Sequence, residues 1–123
     1  MKVIFIDWIC YGRRDVLEAL RGLGHTVILY PVEIEDEDDT AEYNMDYIVL
    51  LMKEIEKQNI SFVFSMNYFT SVSEACYNKG IPYISWIYDN PYSRAYGISI
   101  TNHCNYIFTF NRHTYLQMQQ KGL

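Results

Sequence analysis

The chain has 123 residues, 50% of them apolar and 20% charged, with a formal net charge of −5. That composition is globular rather than disordered, and the length gives one domain a true core with little left for a second. The acid excess argues against duplex nucleic acid or an anionic membrane as the main partner, because both demand clustered Lys and Arg.

The first strand is expected at Val3–Ile6, an unbroken apolar run. A helix follows from about Arg13 to Leu23, where Val16, Leu17, Leu20 and Leu23 fall on one face. A second strand covers Thr26–Tyr30. The run Glu33–Asp39 carries enough carboxylates to suggest Ca²⁺ or Mg²⁺, but it lacks the turn glycine and ligand spacing of a calcium loop and reads as a solvated connection. The next helix is expected from about Ala41 to Lys57, with Tyr47, Ile48, Leu51, Met52 and Ile55 as its stripe.

Phe62–Phe64 is the third strand. Phe69, Val72 and Cys76 then mark a third helix, with Ser71-x-x-Glu74 as a capping box near its start. Strands at Tyr83–Ile87 and Tyr106–Phe110 are joined by a loop, and a last helix spans about Arg112–Lys121. Gly24, Asn59, Gly80 and Gly122 stand where helices stop, since Gly and Asn accept the left-handed conformation there. Continuous apolar strands alternating with helices describe a parallel sheet between two helical layers. The expected fold is α/β, a Rossmann-like doubly wound three-layer sandwich with a mostly parallel five-stranded sheet of order 3-2-1-4-5. Gly122-Leu123 repeats the helix-stop pattern where a further strand would begin, so residues 1–123 are expected to be a single N-terminal domain excised from a longer two-domain protein.

Cys10, Cys76 and Cys104 form no C-x-x-C pair, so neither a zinc ribbon nor a thioredoxin-type site is written, and they read as reduced thiols. His25, His103 and His113 are scattered without metal-ligand spacing. Only four apolar residues separate Lys2 from Asp7, too few for a signal-peptide core, and no segment approaches the ~20 apolar residues of a membrane span. A cytoplasmic protein is expected.

In an open parallel sheet, ligands sit beyond the carboxyl ends of the strands where the strand order reverses. The expected order puts that point between the first and fourth strands. Asp7-Trp8-Ile9-Cys10-Tyr11-Gly12 and Tyr88-Asp89-Asn90-Pro91-Tyr92-Ser93 meet there, flanked by Ser65-Met66-Asn67-Tyr68 and Asn111-Arg112. Flat rings mixed with amides and carboxylates suit sugars and other polyols. The same residue types also make ordinary turns: Asn90-Pro91 is a turn signal, Asp89 can cap its loop, and Asp7 can cap the first turn. No G-x-G-x-x-G or Walker lysine loop follows the first strand, and no G-x-S-x-G elbow occurs. A phosphoacceptor role for Asp7 lacks the preceding acidic pair and the later lysine.

Phe62-Val63-Phe64-Ser65-Met66-Asn67-Tyr68-Phe69, Glu74-Ala75-Cys76 and Gly80-Ile81-Pro82-Tyr83-Ile84-Ser85-Trp86-Ile87-Tyr88-Asp89-Asn90-Pro91 together resemble the N-terminal domain of bacterial glycosyltransferase-like proteins related to the CgeB spore maturation protein. Asn105-Tyr106-Ile107-Phe108-Thr109-Phe110-Asn111-Arg112 is similar to the same family, which often carries Asp where Asn111 stands. The resemblance implies a GT-B arrangement. This domain would take a carbohydrate or other hydroxyl-bearing acceptor, and a missing C-terminal domain would take the nucleotide-sugar donor. It implies no cofactor and no metal in this domain, and no activity for the domain alone.

On that basis Asp89 is the candidate general base or acceptor-orienting carboxylate, since removing a hydroxyl proton needs such a group within hydrogen-bond reach. Ser65, Asn67 and Asn90 would bind acceptor hydroxyls, while Trp8, Tyr68 and Tyr88 would supply ring surfaces, with Trp86 packing as core. The alternative is a non-catalytic Rossmann-like binding or assembly module. A flavodoxin-like cofactor carrier is disfavoured by the missing phosphate loop. An isolated domain would expose the face meant for its partner domain and could pair as a homodimer.

Overall fold

The apolar run near the N-terminus forms strand β1 (Lys2–Asp7), in which Val3, Ile4, Phe5 and Ile6 are all fully buried. Burial on both faces requires a neighbour on each side and a helical layer above and below. The computed structural model provides both; it describes residues 1–10, 12–32, 44–87 and 101–109. Along the chain come α1 (Arg13–Gly22), β2 (Thr26–Pro31), α2 (Met45–Gln58), β3 (Phe62–Met66), α3 (Thr70–Lys79), β4 (Tyr83–Ile87) and β5 (Asn105–Thr109). The expected helix at Arg112–Lys121 and the acidic run Glu33–Asp39 lie outside the described residues.

The fold is the expected Rossmann-like α/β type, and the five strands among the described residues are all parallel. Their order is 2-1-3-4-5, which corrects the expected 3-2-1-4-5. The reason lies in burial. β3 is nearly all buried, with Val63 opposite Tyr83 of β4 and Phe64 opposite Phe5 of β1, so it occupies an interior position. β2 has no fully buried residue and ends in Pro31, as befits an edge. After β2 the chain therefore crosses back over β1 instead of extending the sheet outward.

The two faces carry separate cores. Phe5, Phe64 and Met66 meet Leu17 and Leu20 of α1, and Phe5 stacks on Phe64 with ring centres 6.0 Å apart. The larger core joins Ile4, Ile6, Val63, Tyr83 and Ile87 to α2 through Ile48, Leu51 and Ile55, and to α3 through Val72, Ala75 and Cys76. Each such side chain contributes about 1.5–3 kcal/mol by leaving water, so these cores dominate stability. Trp86 and Ile84 point to the α1 side and are partly buried there.

Local signals set the helix ends. Asn44 is extended, and its side-chain oxygen accepts from the Asp46 and Tyr47 amides, so α2 starts at Met45 and not at Ala41. Asn59 and Gly80 end α2 and α3 in the left-handed conformation, with φ of 55° and 69°. The capping box expected at Ser71-x-x-Glu74 does not form, because both residues lie inside α3, whose N-cap is Phe69. Ser71 Oγ instead accepts from the Asn44 amide and ties α3 to the start of α2. Among the described residues no helix is long and apolar enough to cross a membrane.

Candidate functional site

With order 2-1-3-4-5 the chain leaves β1 in one direction and returns on its other side, so the crevice opens between the carboxyl ends of β1 and β3. This moves the expected site, which had β1 and β4 as its walls, by one strand.

One wall is the exit of β1. Asp7 sits at its last position, and its Oδ1 accepts from Arg13 Nε at 2.6 Å across the strand-to-helix turn. Both side chains are about one third exposed, at 32% for Asp7 and 35% for Arg13. The chain can turn this tightly because Gly12 adopts φ 78° just before α1, where its backbone faces open space. The hydrogen bond to Asp7 holds the Arg13 guanidinium above its usual pKa. Cys10, partly buried in the same loop, has its thiol pushed up chiefly by burial, against the pull of the Arg13 charge.

The other wall is the exit of β3. Asn67 stands there in the left-handed region, at φ 65°, and its amide donates to the Trp86 carbonyl at 2.7 Å. Ser65 Oγ donates to the Asn67 carbonyl at 2.6 Å and also bonds the Tyr83 hydroxyl, which accepts from the Phe69 amide at 3.1 Å. The donors run in one direction: the Phe69 amide to Tyr83, the Tyr83 hydroxyl to Ser65, and Ser65 to the Asn67 carbonyl. A buried tyrosine thus organises the loop that follows a different strand.

Trp8 joins the two walls. Its indole Nε1 donates to the Met66 carbonyl at 3.0 Å, and its ring meets Phe69 edge-on, with centres 6.1 Å apart. Ile9, next along, is almost completely exposed.

The candidate residues therefore separate. Trp8 lies at the crevice, partly exposed. Asn67 is at the crevice too, but only 3% exposed. Ser65 is fully buried and bonded within its own loop, which corrects its expected role with acceptor hydroxyls. Tyr68 is fully buried as well: its ring lies against Tyr83, and its hydroxyl accepts from Asn105 Nδ2 at 3.3 Å, so it presents no surface to a ligand. Tyr88, Asp89 and Asn90 lie outside the described residues.

Sequence reasoning missed Arg13 and Tyr83. Arg13 is the first residue of α1, six positions after the strand-end Asp7, and that spacing across a single turn was a usable signal. Tyr83 gave none, because its hydroxyl meets Ser65 only once β3 and β4 pair.

Chemically, the Asp7–Arg13 pair offers carboxylate acceptors and guanidinium donors side by side, and the partly buried Trp8 follows Asp7 in the chain. A carboxylate and a guanidinium can hydrogen-bond hydroxyl groups, and an indole can stack on C–H faces. Among the described residues no group of three or more His, Cys, Asp or Glu could hold a metal ion. No protein-family model, curated protein or solved structure matches the chain.

Proposed function

We propose that this chain is the acceptor-side, Rossmann-like domain of a GT-B glycosyltransferase, acting in the cytoplasm together with a C-terminal domain that takes the nucleotide-sugar. The observation that carries the reading is the partly exposed Asp7–Arg13 pair at the β1–β3 switch point, where Trp8 bonds the end of β3. The resemblance of the Phe62–Pro91 stretch to CgeB-like proteins gives it a direction. In this reading the acceptor's hydroxyls meet Asp7 and Arg13, its C–H face meets Trp8, and Asp89 takes the proton from the attacking hydroxyl. That hydroxyl oxygen bonds to the anomeric carbon as the nucleoside phosphate leaves.

The test is donor and acceptor binding by the full-length protein. One nucleotide-sugar should raise its Tm selectively and leave the Tm of residues 1–123 alone unchanged. Asp89→Asn should abolish transfer, and Asp7→Asn should raise the acceptor KM, while both keep the donor-induced shift. Unchanged turnover in both variants, or an equal donor shift in the short chain, would overturn the proposal.

A second reading draws on the withdrawal of Ser65, Asn67 and Tyr68 from solvent. A crevice with one accessible wall also suits a non-catalytic binding module. Acceptor binding that depends on Asp7 in a full-length protein without transfer would favour it.

A further inference from the structure

On the far side of the molecule, at the amino ends of β4 and β5, Cys104 lies over α3. Its Sγ is 3.6 Å from the Ser73 carbonyl oxygen and 3.8 Å from Asn105 Oδ1. Ser73 precedes Cys76 by one helical turn. In a helix each Cα–Cβ bond tilts toward the N-terminus, and residues three apart share a face. Residues 73 and 76 therefore share a face of α3, the face that the Cys104 sulfur touches at Ser73. Cys76 is fully buried in the larger core, Cys104 packs against that core, and neither is in a disulfide. Burial raises both thiols above their ordinary 9.0, and the neighbouring Cys104 raises Cys76 further.

Cys104 is also reachable. A cleft of about 310 Å³ opens beside it, walled by Tyr77, Ile81, Pro82, His103 and Tyr106. Tyr77 and Tyr106 are each about half exposed at its rim. One cysteine thus lines an opening while a second is buried in the core it packs against, as an attacking and a resolving cysteine require.

We propose that Cys104 and Cys76 form a thiol–disulfide couple, in which Cys104 reacts with a low-molecular-weight disulfide through the cleft and Cys76 resolves the adduct. In the first step the Cys104 thiolate attacks one sulfur of the reagent disulfide. A mixed disulfide forms, and the second reagent thiolate leaves and takes a proton. Cys76 then loses its proton and attacks the Cys104 sulfur, the protein disulfide forms, and the remaining reagent thiol departs. Two protein thiols are oxidised by two electrons, and the reagent is reduced to two thiols. The product fastens the head of edge strand β5 to α3 and closes a ring of chain that contains Asp89.

The test uses the folded chain with glutathione disulfide at pH 9, followed by alkylation and peptide mapping. A Cys76–Cys104 linked peptide should be the main intramolecular product, whereas the urea-unfolded chain should give all three pairings among Cys10, Cys76 and Cys104. Cys76→Ser should stop at a stable glutathione adduct on Cys104. The folded chain would overturn the proposal by giving the same mixture as the unfolded one, by holding a stable adduct on Cys104 without the link, or by leaving Cys104 unmodified. Should Cys76→Ser fail to fold, the wild-type map alone decides.

Discussion

At the carboxyl ends of β1 and β3 the chain leaves the sheet in adjoining loops that treat their polar groups in opposite ways. After β1, the Asp7 carboxylate and Arg13 guanidinium face each other with about a third of each side chain in water. After β3, Ser65, Asn67 and Tyr68 are all buried, and their loop is tied down by the hydroxyl of Tyr83. Both loops sit at the same switch point, so position alone does not make a binding residue. The β3 exit is a scaffold that holds Trp8 through the Met66 carbonyl, and the β1 exit is the wall whose polar groups reach solvent.

Variants that break this contrast have graded effects. Tyr83→Phe leaves the Phe69 amide and Ser65 Oγ each short of a partner inside the core, and urea unfolding should show a loss of about 3 kcal/mol. Asn67→Ala and Asn67→Gly both remove the side-chain amide. Only Ala carries the left-handed strain, so it should be less stable than Gly by about 1 kcal/mol. Trp8→Phe keeps a ring against Phe69 but loses the bond to the Met66 carbonyl, at a cost of about 1 kcal/mol in the same assay.

The smallest stability effect belongs to the open wall. Asp7→Asn and Arg13→Gln should change Tm little, because an ion pair with a third of each side chain in water contributes only modestly to folding. Their chemistry should still register at Cys10. Burial pushes its thiol up from the ordinary value, so iodoacetamide labelling should quicken about tenfold per pH unit up to its pKa. Arg13→Gln removes a positive charge that favours the thiolate and leaves the Asp7 carboxylate unpaired. Both changes raise the pKa further, so labelling at pH 8 should slow. Faster labelling in that variant would show that the guanidinium shields Cys10 instead of activating it.

Much of the fold could be read from local pattern. Val3–Ile6 announced a strand covered on both faces, the Leu17 and Leu20 spacing gave α1 its buried stripe, and Asn59 and Gly80 marked true helix ends. The candidate site was less legible. Trp8 lies partly exposed at the end of β1, but Ser65 and Tyr68 were expected to meet a ligand, and both turned inward. Nothing in the order of residues around Ser65 says that a tyrosine eighteen positions later will supply its hydrogen bond. Arg13 could have been noticed, and only the turn at Gly12 brings it onto Asp7.

The residue pattern of this chain is enough to specify alternating strands and helices, a parallel sheet with a covered centre and a net acidic surface. Each of these follows from interactions within a few residues or from composition. The placement of β3 beside β1, and with it the location of the crevice, arises from competition between whole elements for burial. β3, apolar on both faces, takes the interior, and β2 with its half-exposed side chains and Pro31 is left at the edge. Such long-range competition has no local signature, which is why the walls of the crevice emerge only when the sheet is assembled.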